Sequence, residues 1–550
     1  MIRPQIGQSH PVSCKLARDQ RGRRMIVVSN GRHRAVLNSS DYIENSRSFW
    51  RKLNDSGIPV TTRIRREIHT LLDTEVDPVE RALVADRSGW IEGMYVFGDS
   101  HVFSADPTTA AQVHVAFPKD PKFGTSGSLG TWRSQMGPLL AGQHLLVGLT
   151  CLAFVPVLLQ PYAHLAGLED NPCLNICGRG SSGKTTALML MASVWGGQVD
   201  MSGGYVESWQ MTPTAIGTLI QAHSDALLVL DEAGLLEMNS RKQNERVGNA
   251  VMWLASGRGR SRHEQAAAAR VRLMAVSSSN LSVGLVGPGS EATNLPLQTR
   301  MPNLDISGRQ FGILDVAHDR QPADIIAALQ QAARLNYGTP IRMFIQRLVR
   351  ERAKTPEGLE GSIRSGIETF QTKALFHRLS PEERRVGASY ALAFVAARLA
   401  RQWNILPEEW WTYYGTSLLK TFALARQGLR NGGQAEPIGR FEAAVHQMES
   451  SLDGVQDRDV SQPAEGFLRV DRSGSPELLF EPKKFSQWFG HIPGLLRALR
   501  DAGALIVENG QTTRLTTKRP LRAGGQQVRV HCIRLDPSLY PDEIRVRRQA

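Results

Sequence analysis

An α/β fold, with a parallel sheet wound around a phosphate-binding loop, is what this 550-residue sequence predicts, on three observations. The first is the run Cys173 to Thr186, CLNICGRGSSGKTT, in which a strand-like segment feeds a glycine-rich turn and then a helix-forming stretch, Ala187 to Ala192. The second is Ala226 to Leu230, a short apolar run of the kind a buried parallel strand shows, ending in the carboxylates Asp231 and Glu232. The third is Leu273 to Val276, another buried-strand candidate, which leads into Ser277-Ser278-Ser279-Asn280.

Gly178 to Thr185 has the full G-x-x-x-x-G-K-[ST] pattern. Gly178, Gly180 and Gly183 are expected to turn the backbone with positive φ, so that successive N–H groups form an anion nest. The following helix adds the partial positive charge of its N-terminus. Gly178, Gly180, Ser181, Ser182, Gly183, Lys184, Thr185 and Thr186 therefore read as ATP-binding, with Lys184 reaching the β and γ phosphates. Thr185 offers a hydroxyl to Mg²⁺. Asp231 stands at a strand C-terminus, where open α/β sheets place ligands, and is expected to hold Mg²⁺ through water. Glu232 is expected to polarise the attacking water. The two motifs together define a P-loop NTPase that hydrolyses its nucleotide. An ABC-type signature is absent, and Glu232 with the additional domains argues against a small-molecule kinase.

At the polar tip Ser278-Ser279-Asn280, Asn280, with Ser279 second, reads as a sensor of the γ-phosphate or the attacking water, or the tip is an ordinary turn. Further on, Arg300 is expected to begin an extended stretch within Thr299 to Ile306. It reads either as an arginine supplied in trans or as a partner of Asp305. The Gly-punctuated Arg258, Arg260 and Arg262 sit on a basic loop suited to phosphate contacts, with DNA or a neighbour's nucleotide, or merely solvated.

Composition sets the surroundings of this core. Lys and Arg number 65 against 52 Asp and Glu, a formal net charge of +13, which favours a polyanionic partner such as DNA. The five cysteines form no CxxC pair and no zinc set, as expected of a reduced, cytoplasmic protein. Leu145 to Leu159 is apolar for fifteen residues but short of a span and interrupted by Pro156, so a buried helix rather than a membrane segment is expected.

Five regions follow. Residues 1–84 form a basic, largely irregular region with an Arg cluster around a strand-like MIVVSN, then a helix near Ser46 to Leu53 and a strand at Gly57 to Val60. Residues 85–130 hold a small β-meander containing Trp90 and Tyr95, closed by a Gly/Ser linker at 124–130. The nucleotide-binding core spans 131–315, with Thr212-Pro213 capping an internal helix. Residues 316–455 have helical periodicity and no catalytic set, so a packing or oligomerisation bundle is expected. Residues 463–550 read as a hairpin, two helices and a basic hairpin, a winged-helix-like arrangement with Arg514, Lys518 and Arg519 on the wing. The wing reads as DNA-binding, or as a protein-interaction surface.

With these residues laid out, the chain resembles the DUF927 family of helicase-like proteins from phages, plasmids and integrated elements. The carrying stretches are Gly89-Trp90, CGRGSSGKTT, SVWGG at 193–197, LLVLDEAG, SGRGRSR, TRMPNLDI and Asn336-Tyr337-Gly338, over roughly residues 85 to 350. The resemblance implies an AAA+-like, hexameric DNA motor of mobile-element replication, working with replication partner proteins. No zinc ribbon or primase motif precedes the core. The competing expectation is an ATP-regulated DNA-binding initiator that unwinds nothing.

Overall fold

Cys173–Cys177 is buried at every position, which only a strand covered on both faces allows; we call it β1. Four further strands lie beside it: β2 (Val206–Ser208), β3 (Leu227–Asp231), β4 (Met274–Ser279) and β5 (Asn303–Asp305). All pairings are parallel, in the order β2-β3-β4-β1-β5. Strand β4 is thus inserted between the strand feeding the glycine-rich loop and the strand ending in Asp231. The computed structural model describes residues 12–19, 22–73, 82–197, 204–231, 241–257, 270–280, 297–317, 320–431, 441, 452–454, 466–470, 476–489, 495–501, 504–507, 515–520 and 527–534.

The helix after the loop, α1 (Lys184–Trp195), is apolar almost all round and packs between the sheet and α2 (Pro322–Leu335). The helical region expected as a packing or oligomerisation bundle shares one core with the sheet. Phe344, Phe370, Leu392, Trp410 and Phe422 belong to the same apolar cluster as Ile176 and Leu188. Gly428, on the helix Tyr414–Asn431, lies so close to β5 that a Cβ there would meet Asn303 O at 2.0 Å. The apolar run from Leu145 divides into helices His144–Leu152 and Pro156–Tyr162, whose apolar side chains are buried in this core. No single described helix is long and apolar enough to cross a membrane.

The N-terminal region departs from expectation. Strands Ser13–Arg18, Arg24–Ser29 and Arg34–Asn38 make an antiparallel sheet, and helices Ser46–Asp55 and Thr62–Leu72 cover one face. Ile26, Val28, Phe49, Leu53, Ile64 and Ile68 form its own core. The arginines hid this: Arg18, Arg24 and Arg34 stand at strand ends and Arg23 and Arg32 in the turns, while the strand interiors Met25 to Val28 and Ala35 to Leu37 are continuous buried apolar runs. The strand expected at Gly57 to Val60 is a turn that leads into the second helix, capped by Thr61.

The meander is present as Gly89–Ile91, Met94–Val96 and Val102–Phe103. The Gly/Ser segment after it is not a free linker. Ser126 bridges Tyr337, its N–H donating to Tyr337 O at 3.1 Å, and Gly338 N–H donates to Ser193 O at 2.8 Å. Two of the stretches noted above, SVWGG and Asn336 to Gly338, therefore meet each other and the linker in a packing junction.

In the C-terminal region, strands Gly466–Val470 and Pro476–Phe480 form the expected hairpin. Helices Pro482–Phe489 and Leu495–Asp501 follow, and then the hairpin Thr517–Pro520 with Gln527–Arg534. Phe480, Phe485, Phe489, Leu495, Leu499 and Ile533 make a small core of their own.

Candidate nucleotide site

The loop between β1 and α1 differs from expectation in one respect. Of its three glycines only Gly183 takes positive φ, 86°, while Ser181 adopts 58°. Gly183 is doubly constrained, since a Cβ would also lie 2.5 Å from Ile313 Cγ2. Gly178 answers a close approach instead, with Ile306 Cγ1 at 2.7 Å from where a Cβ would stand. The segment after β5 thus backs the loop. Ile313 N–H donates to Ser182 O at 2.9 Å, and Arg309 holds the segment by bonds to Gly312 O (2.8 Å) and Asp315 Oδ1 (2.9 Å). Nothing in the sequence marked Arg309 for this task.

Lys184 opens α1 with its ammonium over the loop. Nζ donates to Gly178 O (2.8 Å), Arg179 O (2.7 Å) and Asn280 Oδ1 (3.1 Å). Burial pushes its pKa below the usual lysine value, opposed by Cys177 and Asp231. An anion here would restore the charged form's advantage. Asn280, preferred as the sensor, is therefore brought to the loop lysine. Ser279 is not: it is buried, and its hydroxyl accepts from Asn175 Nδ2 at 2.8 Å inside the sheet.

Asp231 ends β3 two strands away from the loop. At about 4.8 Å per strand spacing the carboxylate's strand stands roughly 10 Å from β1, with the β4 tip between. Ser278 Oγ donates a short hydrogen bond to Asp231 Oδ1. In sequence, a run of three serines gives no clue which one faces the neighbouring strand. Glu232 lies outside the described residues, as do Arg258, Arg260, Arg262 and Arg514.

Thr185 is exposed at the start of α1, free of the apolar packing that covers its neighbour. Thr186 is buried at 1% exposure, and its Oγ1 accepts from Gln330 Nε2 of α2 at 2.9 Å, so its hydroxyl faces α2 rather than the loop mouth. Arg300 does not begin an extended stretch; it ends a helical turn over 297–300. It precedes β5, at the edge of the sheet opposite the loop, in a cleft with Arg385 and Tyr390. It cannot act on its own chain's loop. Asp305, at the far end of β5, accepts from Ser307 N–H at 2.9 Å. On the wing, Lys518 is exposed and pairs across the hairpin with Arg529, while Arg519 curls back to Thr517 Oγ1 (3.3 Å) and Lys518 O (3.1 Å).

Ser182 Oγ is buried with no hydrogen-bond partner among the described residues. With the Lys184 ammonium and the first-turn N–H groups of α1, it gives the loop a surplus of donors suited to phosphate oxygens. Among the described residues no cluster of three or more His, Cys, Asp or Glu stands ready to hold a metal alone. Thr185 and Asp231 carry oxygen atoms of the kind Mg²⁺ takes, an ion that is usually held by one or two protein oxygens together with its phosphates.

Fold and site together define a mixed α/β protein: a helix-flanked parallel sheet with a glycine-rich loop at its C-terminal edge. Residues 20–272 match the family described as "Domain of unknown function (DUF927)", a little under half the chain. The match begins in the N-terminal sheet, earlier than the resemblance noted above. Among solved structures, the chain is similar to "SCCmec type IV Cch - active helicase" at 17% identity, with a TM-score of 0.52. The alignment covers 97% of this chain and 94% of that one, so the two share a fold nearly end to end. Comparison with curated proteins finds no match.

Proposed function

We propose that the chain is an ATP-hydrolysing DNA motor, a helicase or translocase acting in replication of a mobile element. The observation that carries this reading is the bond from Lys184 Nζ to Asn280 Oδ1, with Asp231 oriented by Ser278 one strand further on. A cation, a polar strand tip and an oriented carboxylate thereby line one sheet edge in sequence, which is what positioning a phosphoryl group and a water requires. ATP bound to the loop with Mg²⁺ would supply the phosphoanhydride. Lys184 and the loop N–H groups would hold its phosphates, Thr185 and Asp231 the ion, Glu232 the water, and Asn280 would report the state of the γ position.

DNA is assigned to the wing (Arg514, Lys518, Arg519) and to the Arg258, Arg260, Arg262 loop. Lys518 stands opposite Arg529 across the hairpin, and a run of basic residues on one wing supports contact with a phosphate backbone. The place of Arg300, at the sheet edge away from its own loop, supports a role in a neighbouring subunit of an AAA+-like ring, for which six members and a cytoplasmic setting are our reading. The solved structure sharing this fold is titled an active helicase, which favours the motor over an ATP-regulated initiator. A strand-displacement assay with purified protein, ATP and a forked duplex tests the choice. Unwinding that Glu232→Gln abolishes is expected; ATP-dependent DNA binding without unwinding would establish the initiator.

A further inference from the structure

On the opposite edge of the sheet from the phosphate loop, the meander roofs a cavity of about 420 Å³, within the range of small-ligand sites. Its wall includes Arg87, Trp90, Asp225, Arg270 and Arg272. Asp225 stands two residues before β3 and Arg272 two before β4, so the cavity is separated from the loop by the length of those strands.

Asp225 is 6% exposed. Its Oδ2 accepts Trp90 N–H at 3.1 Å, while its Oδ1 is buried with no hydrogen-bond partner among the described residues. Arg270 Nε is likewise buried and unpartnered. One orphan acceptor and one orphan donor in the same wall are a cost that a bound molecule with both functions would remove. Gly89 is shaped to this carboxylate: at φ 111° a Cβ would stand 2.2 Å from Asp225 Oδ2.

The wall also holds charge. Asp86 and Glu92 line it, but Asp86 faces Arg23 of the N-terminal sheet at 3.4 Å, and Arg270 reaches Asp170 at 3.4 Å. Arg272 donates to Glu169 O at 2.6 Å, and burial and the neighbouring Arg270 both disfavour its charge. Guanidiniums brought this close are relieved by a phosphate, which accepts from more than one of them.

We propose that this cavity binds one nucleotidyl unit, its phosphate among Arg87, Arg270 and Arg272 and a hydroxyl or amino group donating to Asp225 Oδ1. The unit comes from a free nucleotide or from a nucleic-acid strand; both present the same chemistry. The proposal is independent of hydrolysis at the loop.

The test uses the full chain carrying Lys184→Ala, so that the loop does not compete, and measures equilibrium binding of AMP and of the 5′-phosphorylated dinucleotide pdTpdT at about pH 8, where Asp225 is ionised. One probe is expected to saturate a single site. Arg87→Ala and Asp225→Asn should each weaken it about tenfold, the worth of a charge-assisted bond. In Asp225→Asn the Trp90 N–H keeps the amide oxygen, so an NH₂ replaces Oδ1 and meets the ligand's donor. Saturation by AMP assigns a free nucleotide, and by pdTpdT alone a strand. Unfolding temperatures near that of the parent keep the loss from being a folding defect; a variant that melts early is replaced by Arg87→Gln. Absence of saturable binding by either probe, or affinities unchanged in both variants, overturns the proposal. ATP turnover of Arg87→Ala with Lys184 intact reads the loop separately and is expected to match the parent.

Discussion

Lys184 Nζ and Asn280 Oδ1 lie 3.1 Å apart, joining the first residue of the loop helix to the residue after β4. The two are ninety-six positions apart in the chain and adjacent only because β4 pairs with β1, Ser279 opposite Cys177. A side chain so placed meets the loop's cation, and on the function proposed above it would meet a bound nucleotide's terminal phosphate. Asn280→Ala is therefore expected to lower ATP turnover by about 10–100-fold with little change in ATP affinity, whereas Lys184→Ala should remove binding. Steady-state hydrolysis beside equilibrium nucleotide binding checks both, and an Asn280→Ala enzyme at parental rate would remove Asn280 from the site.

Ser278→Ala should act through Asp231. Loss of a hydrogen bond to a charged group is worth about 1.5–3 kcal/mol, and turnover should fall roughly tenfold or more. The distinguishing readout is the Mg²⁺ dependence of the rate. It should shift to higher Mg²⁺ in the variant, and Ser278→Thr should recover part of the loss; a rate loss with unchanged Mg²⁺ dependence would make Ser278 merely structural.

Asp225 gives a pH signature to stability. Burial pushes its carboxyl up to about 7 from 3.8, against the pull of Trp90 N–H, Arg87 and Arg272. Between those values the folded chain keeps a proton that the unfolded chain has released. Stability from this group therefore falls as pH rises, by about 1.4 kcal/mol per pH unit, and levels off above about 7. Asp225→Asn should flatten the unfolding temperature between pH 5 and about 7 and raise it at about pH 8 relative to the parent. Equal slopes in the two proteins would show that Asp225 is ionised throughout.

Removal of residues 463–550 should weaken duplex binding, and the intact chain should lose affinity steeply with salt as Lys and Arg contacts release counterions. The 466–534 strands and helices carry their own core, so the cut leaves the sheet's core whole. Equal duplex affinity with and without the tail, measured by anisotropy across a salt series, would make the tail a protein-interaction module.

On the proposed ring reading, in which its side of the sheet would serve a neighbour's loop, Arg300→Ala should spare ATP binding and abolish turnover. Where arginines of this kind act, they are worth about 10³–10⁵ in rate. Mixing Arg300→Ala with Glu232→Gln chains should restore part of the activity at interfaces pairing an intact loop with an intact arginine. A chain that remains monomeric with ATP and DNA while hydrolysing at full rate would end the ring reading.

The local elements were legible because their signals are local. A strand buried on both faces shows as a short apolar run, and the G-x-x-x-x-G-K-T spacing is set by the turn it makes, so β1, α1, β3, β4 and the C-terminal hairpins and helices could all be read from residue order. Adjacency was not legible. That β4 stands between β1 and β3, that Ser278 rather than Ser279 meets Asp231, and that Thr186 turns to Gln330 depend on strand order and helix rotation, which are settled by burying the sheet's two faces against distant helices. The same holds for the segment from Leu145, whose apolar composition fits a membrane or a core until the helices at 339–431 cover it. Asp225 is the limiting case. In sequence it is one acidic residue before an apolar run; the meander folding back buries it, with Trp90 N–H on its carboxylate and Tyr95 OH on its backbone oxygen, residues 135 and 130 positions away.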